Sequence, residues 1–259
     1  MTNISRFVWH DLSSSDVEGA KRFYGELFDW TFEGEPYVHV KAGDQMIGGI
    51  RPREAHEQGP PCWLGYVLVE DVQQTVDRAK AANGQVYMPA TEMPDVGTFA
   101  VMADPSGGVL APWRSAHEKD NEESDAPPAN HTFCWSELLS TDPAAATSFY
   151  CDVFGWEPEV QDMGPMGDYT LLGRPGTQNP MQPGKPAWAG GLYKAPDGVP
   201  QTFWLPYVQV EDADASAERA RNLGAKLMAP PMDIPGIGRF FTFTDPESAV
   251  LACISFPKP

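Results

Sequence analysis

The chain contains itself twice. Residues 7–30 read FVWHDLSSSDVEGAKRFYGELFDW and residues 133–156 read FCWSELLSTDPAAATSFYCDVFGW; at this offset of 126, ten of the 24 positions are identical. A second block recurs at an offset of 141, where WLGYVLVEDV from Trp63 matches WLPYVQVEDA from Trp204. Farther on, Pro94, Gly97, Phe99, Asp104, Pro105, Val109, Leu110 and Ala111 recur as Pro235, Gly238, Phe240, Asp245, Pro246, Val250, Leu251 and Ala252. The change of offset marks an insertion in the second copy, around the Gly/Pro-rich stretch 173–186. Two blocks repeated in the same order are the mark of a duplication, so whatever fold one half adopts the other must adopt too.

Between the copies runs a charged stretch, HEKDNEESD from His117, followed by Ala-Pro-Pro-Ala. It has no apolar periodicity and reads as an exposed linker. The expected division is therefore a domain at 1–115, a linker at 116–130 and a second domain at 131–259. At 259 residues and 42% hydrophobic content, each half can bury a core. A net charge of −18 repels phosphate backbones and argues against a nucleic-acid partner. The first residues lack a basic segment followed by an apolar one, and no apolar run approaches the ~20 residues that would span a bilayer. No membrane association is expected, and the expected location is the cytoplasm. The four cysteines form no C-x-x-C pair and read as buried free thiols.

Each copy reads as strand, helix and several strands, twice over. Phe7 to Leu12 has a strand's composition, and Ser15 or Asp16 then caps a helix, with Glu18 placed for a capping box from Ser15. In the second copy Asp142-Pro143 pairs an N-cap with a first helical residue. Ala20, Phe23, Tyr24 and Phe28 give the first helix one apolar face. Asp71 caps another helix running to about Ala82, and Asp104-Pro105-Ser106-Gly107 has the residues of a type I turn.

The opening segments ending in FYGELFDW and FYCDVFGW, and the closing segments DPSGGVLAPW and DPESAVLACI, resemble the glyoxalase/bleomycin-resistance/dioxygenase (vicinal-oxygen-chelate) superfamily. The resemblance implies an α+β fold of four βαβββ modules. These would form two glyoxalase-like domains, each a half-open, mostly antiparallel eight-stranded barrel. It also implies where a metal would be held, on the first and last strands of each module. Counting from the helix-capping aspartates, the first-strand places hold Trp9, Trp135, Leu64 and Leu205. The last-strand places hold Ala111 and Ala252, with the remaining ones near Gly48-Gly49 and Gly190-Gly191. None of these side chains donates to a divalent ion, so neither metal nor cofactor is expected. Nor do the five histidines, His10, His39, His56, His117 and His131, form an H-E-x-x-H pattern, and they read as surface or hydrogen-bonded residues.

Period-two alternation groups Phe7 and Asp11 with Trp9, Tyr66 with Leu64, and Trp113 with Ala111. The second copy supplies Phe133, Trp135, Leu205, Tyr207 and Ala252. An aromatic-lined concavity suits a small hydrophobic or aromatic molecule. The same tryptophans could equally plug a barrel as core. Asp11 and its counterpart Glu137 are the candidates for proton transfer, or else local hydrogen-bond acceptors. The expectation is a metal-independent small-molecule-binding protein, monomeric or homodimeric. An enzyme of the same superfamily and a plugged-barrel interaction protein are the alternatives.

Overall fold

A computed structural model describes residues 4–257 except 56, 58, 122–127, 165–166 and 180–181. His56 and the middle of the expected linker lie outside the described residues. The first copy runs β1 (Phe7–Ser14), α1 (Val17–Phe28), β2 (Thr31–Glu33), β3 (Val38–Ala42), β4 (Gln45–Pro52), β5 (Cys62–Leu68), α2 (Val72–Ala81), β6 (Gln85–Met93), β7 (Gly97–Ala103) and β8 (Val109–Ser115). A 3-10 turn, Glu118–Asn121, begins the connection to the second copy. That copy runs β9 (Phe133–Ser140), α3 (Pro143–Phe154), β10 (Glu157–Asp162), β11 (Asp168–Gly173), β12 (Trp188–Lys194), β13 (Phe203–Gln209), α4 (Ala213–Asn222), β14 (Lys226–Ile234), β15 (Gly238–Thr244) and β16 (Val250–Ser255).

Each copy forms one eight-stranded sheet, in the orders β2-β3-β4-β1-β5-β8-β7-β6 and β10-β11-β12-β9-β13-β16-β15-β14. Hairpin neighbours are antiparallel, whereas β1/β4, β5/β8, β9/β12 and β13/β16 are parallel. β2 and β6 end one sheet, β10 and β14 the other, so neither closes on itself. The fold is α+β, four βαβββ modules in two half-open sheets. The insertion in the second copy lengthens the link from β11 to β12, which in the first copy is the tight turn at Gly43-Asp44.

Packing divides the chain differently from the sheets. One compact unit comprises Met1–Val8, Gly65–Asp125 and Ser136–Trp204; the other comprises Trp9–Leu64, Ala126–Trp135 and Leu205–Pro259. Each unit joins one module of the first copy to one of the second. In the second unit α1 lays Phe23, Tyr24, Leu27 and Phe28 into a core with Phe241, Phe243 and Leu251. In the first, α3 lays Phe149, Tyr150, Val153 and Phe154 against Met102 and Leu110.

The helices start where short carboxylates reach free backbone N–H groups. Asp16, Asp71, Asp142 and Asp212 are the N-caps, each accepting from the amide three residues on. The Ser15 capping box does not form. Asp16 takes the cap, and Glu18 pairs with Lys21 at 2.7 Å.

The most strongly repeated residues meet in threes inside these cores. Tyr150 donates its hydroxyl to Asp104 Oδ2 at 2.8 Å and accepts from Trp204 Nε1 at 2.9 Å. Tyr24 likewise donates to Asp245 Oδ2 at 2.9 Å and accepts from Trp63 Nε1 at 3.1 Å. The other carboxylate oxygen of each aspartate holds its own Asp-Pro turn. Asp104 Oδ1 accepts from Ser106, Gly107 and Gly108, and Asp245 Oδ1 accepts from Glu247 and Ala249. Burial drives the phenols of Tyr24 and Tyr150 well above their ordinary range, and it also raises the Asp245 carboxyl.

The cysteines are all free, as expected, but only Cys253 is fully buried; Cys134 and Cys151 are half-buried and Cys62 is exposed. Cys62 opens β5 next to an exposed loop, so its side chain has no core to enter.

Candidate functional site

Alternation along β1 sends His10 and Leu12 into the core and leaves Trp9 and Asp11 on the other face. His10 stacks on Phe133 at 4.1 Å, and burial lowers its pKa to about 3. On the Trp9 face, Tyr37 donates its hydroxyl to Asp11 Oδ1 at 2.6 Å. The Trp9 indole N–H reaches the same oxygen at 2.8 Å and the Tyr37 hydroxyl at 2.9 Å. His39 meets both rings edge-on, with centroids 5.1 Å from Tyr37 and 6.3 Å from Trp9. Asp11 is only 5% exposed although its neighbours Trp9, Tyr37 and His39 are half-buried.

The double glycine of β4 makes this arrangement possible. Gly49 lies opposite Asp11 in the β1/β4 register, and a Cβ there would collide with the Tyr37 hydroxyl. A Cβ on Gly48 would collide with the His10 carbonyl. The second copy repeats the construction with different residues. Tyr169 donates to Glu137 Oε1 at 2.9 Å, Gly191 lies opposite Glu137, and a Cβ on Gly191 would collide with the Tyr169 hydroxyl. Tyr193 stacks on Tyr169 at 6.2 Å, and burial together with Glu137 pushes its phenol upward. Substituting Gly49→Ala or Gly191→Ala is expected to cost about 1–3 kcal/mol of overpacking, because backbone and tyrosine must both give way. Chemical denaturation of each variant checks this; an unchanged midpoint would mean that the tyrosine hydroxyl moves aside freely.

The later strands of each copy carry the other expected residues. Tyr66 pairs with Ala111 across β5/β8, and Phe99 with Trp113 across β7/β8. Their rings gather: Tyr66 lies 6.3 Å from Trp113, nearly perpendicular, and 6.3 Å from Phe99. In the second copy Tyr207 pairs with Ala252 and lies 6.3 Å from Phe240, while Ile254 stands at the place of Trp113. Leu64 and Trp135 are half-buried and Leu205 is buried.

Phe7 and Phe133 go elsewhere. Phe7 packs on Trp204 at 5.1 Å and Trp156 at 6.3 Å, and Phe133 on Trp63 and Trp30, so both rings serve the aromatic cores. Two surface clefts of about 330 Å³ each include none of the expected lining residues. One lies beside Phe23 and Glu247, the other beside Ile237 and Phe256.

Sequence reasoning missed Tyr37, Phe99, Tyr169 and Tyr193 as site residues, and read His39 as a surface or hydrogen-bonded histidine. Phe99 and Phe240 are visible in the repeat. The two tyrosines are not, because they stand 132 residues apart and so belong to neither repeated block.

The places to which the resemblance would assign metal ligands hold indole, isobutyl, methyl or hydrogen, and these side chains do not fit a divalent ion. Among the described residues, no three His, Cys, Asp or Glu side chains gather so as to hold a metal. None of the described helices is long and apolar enough to cross a membrane.

A family model described as Glyoxalase/Bleomycin resistance protein/Dioxygenase superfamily matches residues 6–111 and 129–252. A Mycobacterium bovis protein named "Putative glyoxylase CFP32" is 32% identical over 263 residues, covering 97% of this chain and 94% of its own. "Anthracycline biosynthesis protein DauV" from a Streptomyces species is 27% identical over 268 residues, covering 93% and 90%. Among solved structures, the 2,3-dioxygenase LapB from Pseudomonas sp. KL28 superposes with a TM-score of 0.65 at 14% identity, covering 100% of this chain and 96% of LapB.

Proposed function

Because the chain belongs to the Glyoxalase/Bleomycin resistance protein/Dioxygenase superfamily, we propose that it is a metal-independent member that binds a small, flat, hydrophobic or aromatic molecule in each copy. The observation that carries this reading is the pairing of Asp11 with Tyr37, and of Glu137 with Tyr169, over the glycines where the family resemblance would place a metal ligand. Aromatic side chains accompany these pairs on the sheets: Trp9, Tyr66 and Trp113 in the first copy, Trp135 and Tyr207 in the second. Leu64, Ala111, Leu205 and Ala252 complete the apolar lining. The relative named for anthracycline biosynthesis supports a flat aromatic class of ligand. The working units in this reading are residues 1–115 and 131–259, in a cytoplasmic monomer or homodimer.

A second reading, metal-free catalysis by Asp11 or Glu137, has one observation in its favour: carboxylates this buried are costly to keep and often mark proton-handling sites. A plugged barrel is the third, favoured by the internal hydrogen bonds of Trp9.

Protein purified without added metal and dialysed against zinc, ferrous iron or manganese is expected to retain no stoichiometric ion by elemental analysis. A thermal-shift screen of flat aromatic compounds is expected to raise the melting temperature, since a ligand of the folded state adds RT ln(1 + [L]/Kd). About one tightly held ion per copy, or no shift from any aromatic compound, would sink the reading.

A further inference from the structure

The helices α1 and α3 begin on matching sequence, yet their first amides are satisfied by different partners. At α3 the partners are neutral hydroxyls. Thr202 Oγ1 accepts from the Thr141 amide at 3.0 Å and shares a second hydrogen bond with the Thr141 hydroxyl at 3.1 Å. Ser140 Oγ accepts from the Asp142 amide at 3.1 Å. The Asp-Pro turn that reaches this helix start brings Ser106, whose hydroxyl meets Ser140 Oγ at 3.2 Å. At α1 the place of Thr202 is held by Pro61, which has no acceptor on its side chain. The corresponding turn here brings Glu247 in place of Ser106. Its Oε1 accepts from the amides of Ser15 and Asp16 at 2.9 and 3.1 Å, and its Oε2 accepts from the buried Ser14 hydroxyl.

From these contacts we propose that the two turns are keyed to the two helix starts, and that Glu247 and Ser106 decide which modules pair. Apolar packing does not make that choice, because the helices bury the same pattern. Ala20, Phe23, Tyr24, Leu27 and Phe28 of α1 match Ala146, Phe149, Tyr150, Val153 and Phe154 of α3. Polar groups make it instead. Set against the Ser106 turn, α1 would lose the acceptor of its Ser15 amide and the carboxylate that favours a helix N-terminus. Set against the Glu247 turn, α3 would meet a carboxylate where Thr202 already holds the Thr141 amide, beside its own capping Asp142. Each wrong pairing carries a penalty that the right one avoids, and specificity needs such penalties as well as good contacts. The right pairings are those of the two compact units, with Glu247 and α1 in one and Ser106 and α3 in the other.

The test uses the full chain with exchanges at these four positions. Glu247→Ser alone is expected to lower the melting temperature by about 3–6 °C, the scale of one lost helix cap. Adding Pro61→Thr should recover roughly half of that loss or more, because it installs the acceptor that α3 uses. Ser106→Glu should also lower the melting temperature, and adding Thr202→Pro should relieve this by freeing the Thr141 amide. The double exchange Glu247→Ser with Ser106→Glu mismatches both right pairings and matches both wrong ones. After unfolding in urea and dilution, its yield of protein eluting with the parent in size-exclusion chromatography should fall at least ~2-fold below that of Glu247→Ser. Adding Pro61→Thr and Thr202→Pro transposes both keys completely, so the quadruple variant should regain the parent's yield. A double exchange that refolds as well as Glu247→Ser would overturn the pairing role and leave Glu247 a helix cap. Losses that neither Pro61→Thr nor Thr202→Pro relieves would overturn it too, as would a quadruple variant that stays unfolded.

Discussion

Asp104→Ala is expected to destabilise the protein by about 3–5 kcal/mol, more than a surface substitution by an order of magnitude. Asp104 is 2% exposed, and both of its oxygens are occupied. One oxygen holds the turn amides of Ser106, Gly107 and Gly108, and the other accepts from the buried Tyr150. Removing the carboxylate leaves the Tyr150 phenol with the more distant Gly108 carbonyl at 3.4 Å and strands a buried turn amide, with about 1–3 kcal/mol lost for each group so deprived. Asp104→Asn keeps one acceptor for the turn but confronts the Tyr150 hydroxyl with an N–H donor, so its expected cost is smaller, about 1–2 kcal/mol. Tyr150→Phe should fall between these, because it strands Trp204 Nε1 and one carboxylate oxygen together. A double-mutant cycle between Asp104 and Tyr150 should show strong coupling, since each removes the other's partner. Urea denaturation followed by tryptophan fluorescence measures all of these. Asp104→Ala within 1 kcal/mol of the parent would show that the Tyr–Trp–Asp group contributes little.

Features governed by near neighbours were legible in the sequence. Asp16, Asp71, Asp142 and Asp212 cap helices through amides three residues away, and Asp104-Pro105 and Asp245-Pro246 make turns by the same short reach. A few residues suffice to read such contacts. The partnering of modules was not legible, because the copies have the same apolar pattern. The apolar face of α1 is equally suited to the strands of either copy, and only the folded chain selects Phe241 and Phe243. The site was half legible for a related reason. Trp9 and Asp11 stand in a repeated block, and alternation gives their shared face. Tyr37 reaches Asp11 from the bend just before β3, so its role depends on how β3 and β4 pair and on the absence of a side chain at Gly49. Phe7 misled because alternation is reliable only within a regular strand. At the very start of β1 its ring turns to Trp204.

The second large effect lies in acid. His10 is enclosed in the core of its unit, stacked on Phe133, and its pKa falls to about 3 because burial penalises the charged ring. An unfolded chain protonates the same histidine near pH 6.5. The folded-state value is the depressed one, so the stabilising contribution is complete above pH 6.5 and is lost as pH falls toward 3. Each pKa unit of difference corresponds to ~1.4 kcal/mol, so by pH 4 the loss from this one residue is about 3 kcal/mol. His10→Gln removes the titration while keeping a polar side chain of similar length. At pH 7 the variant should be the less stable protein, by about 1 kcal/mol for the lost ring stacking. As pH falls the carboxylates weaken both proteins alike. Glu57, which Arg51 holds near 2, begins to lose its contribution below its unfolded value of 4.5 and is lost fully only near pH 2. The difference between the two proteins therefore isolates His10, and their stabilities should cross between about pH 5 and 6. Parallel curves from pH 7 to pH 4 would mean that His10 is reached by water or by an acid partner in the folded state. The asymmetry between the copies would then lose its consequence, because Ser136, which stands at the matching place, has no charge to gain.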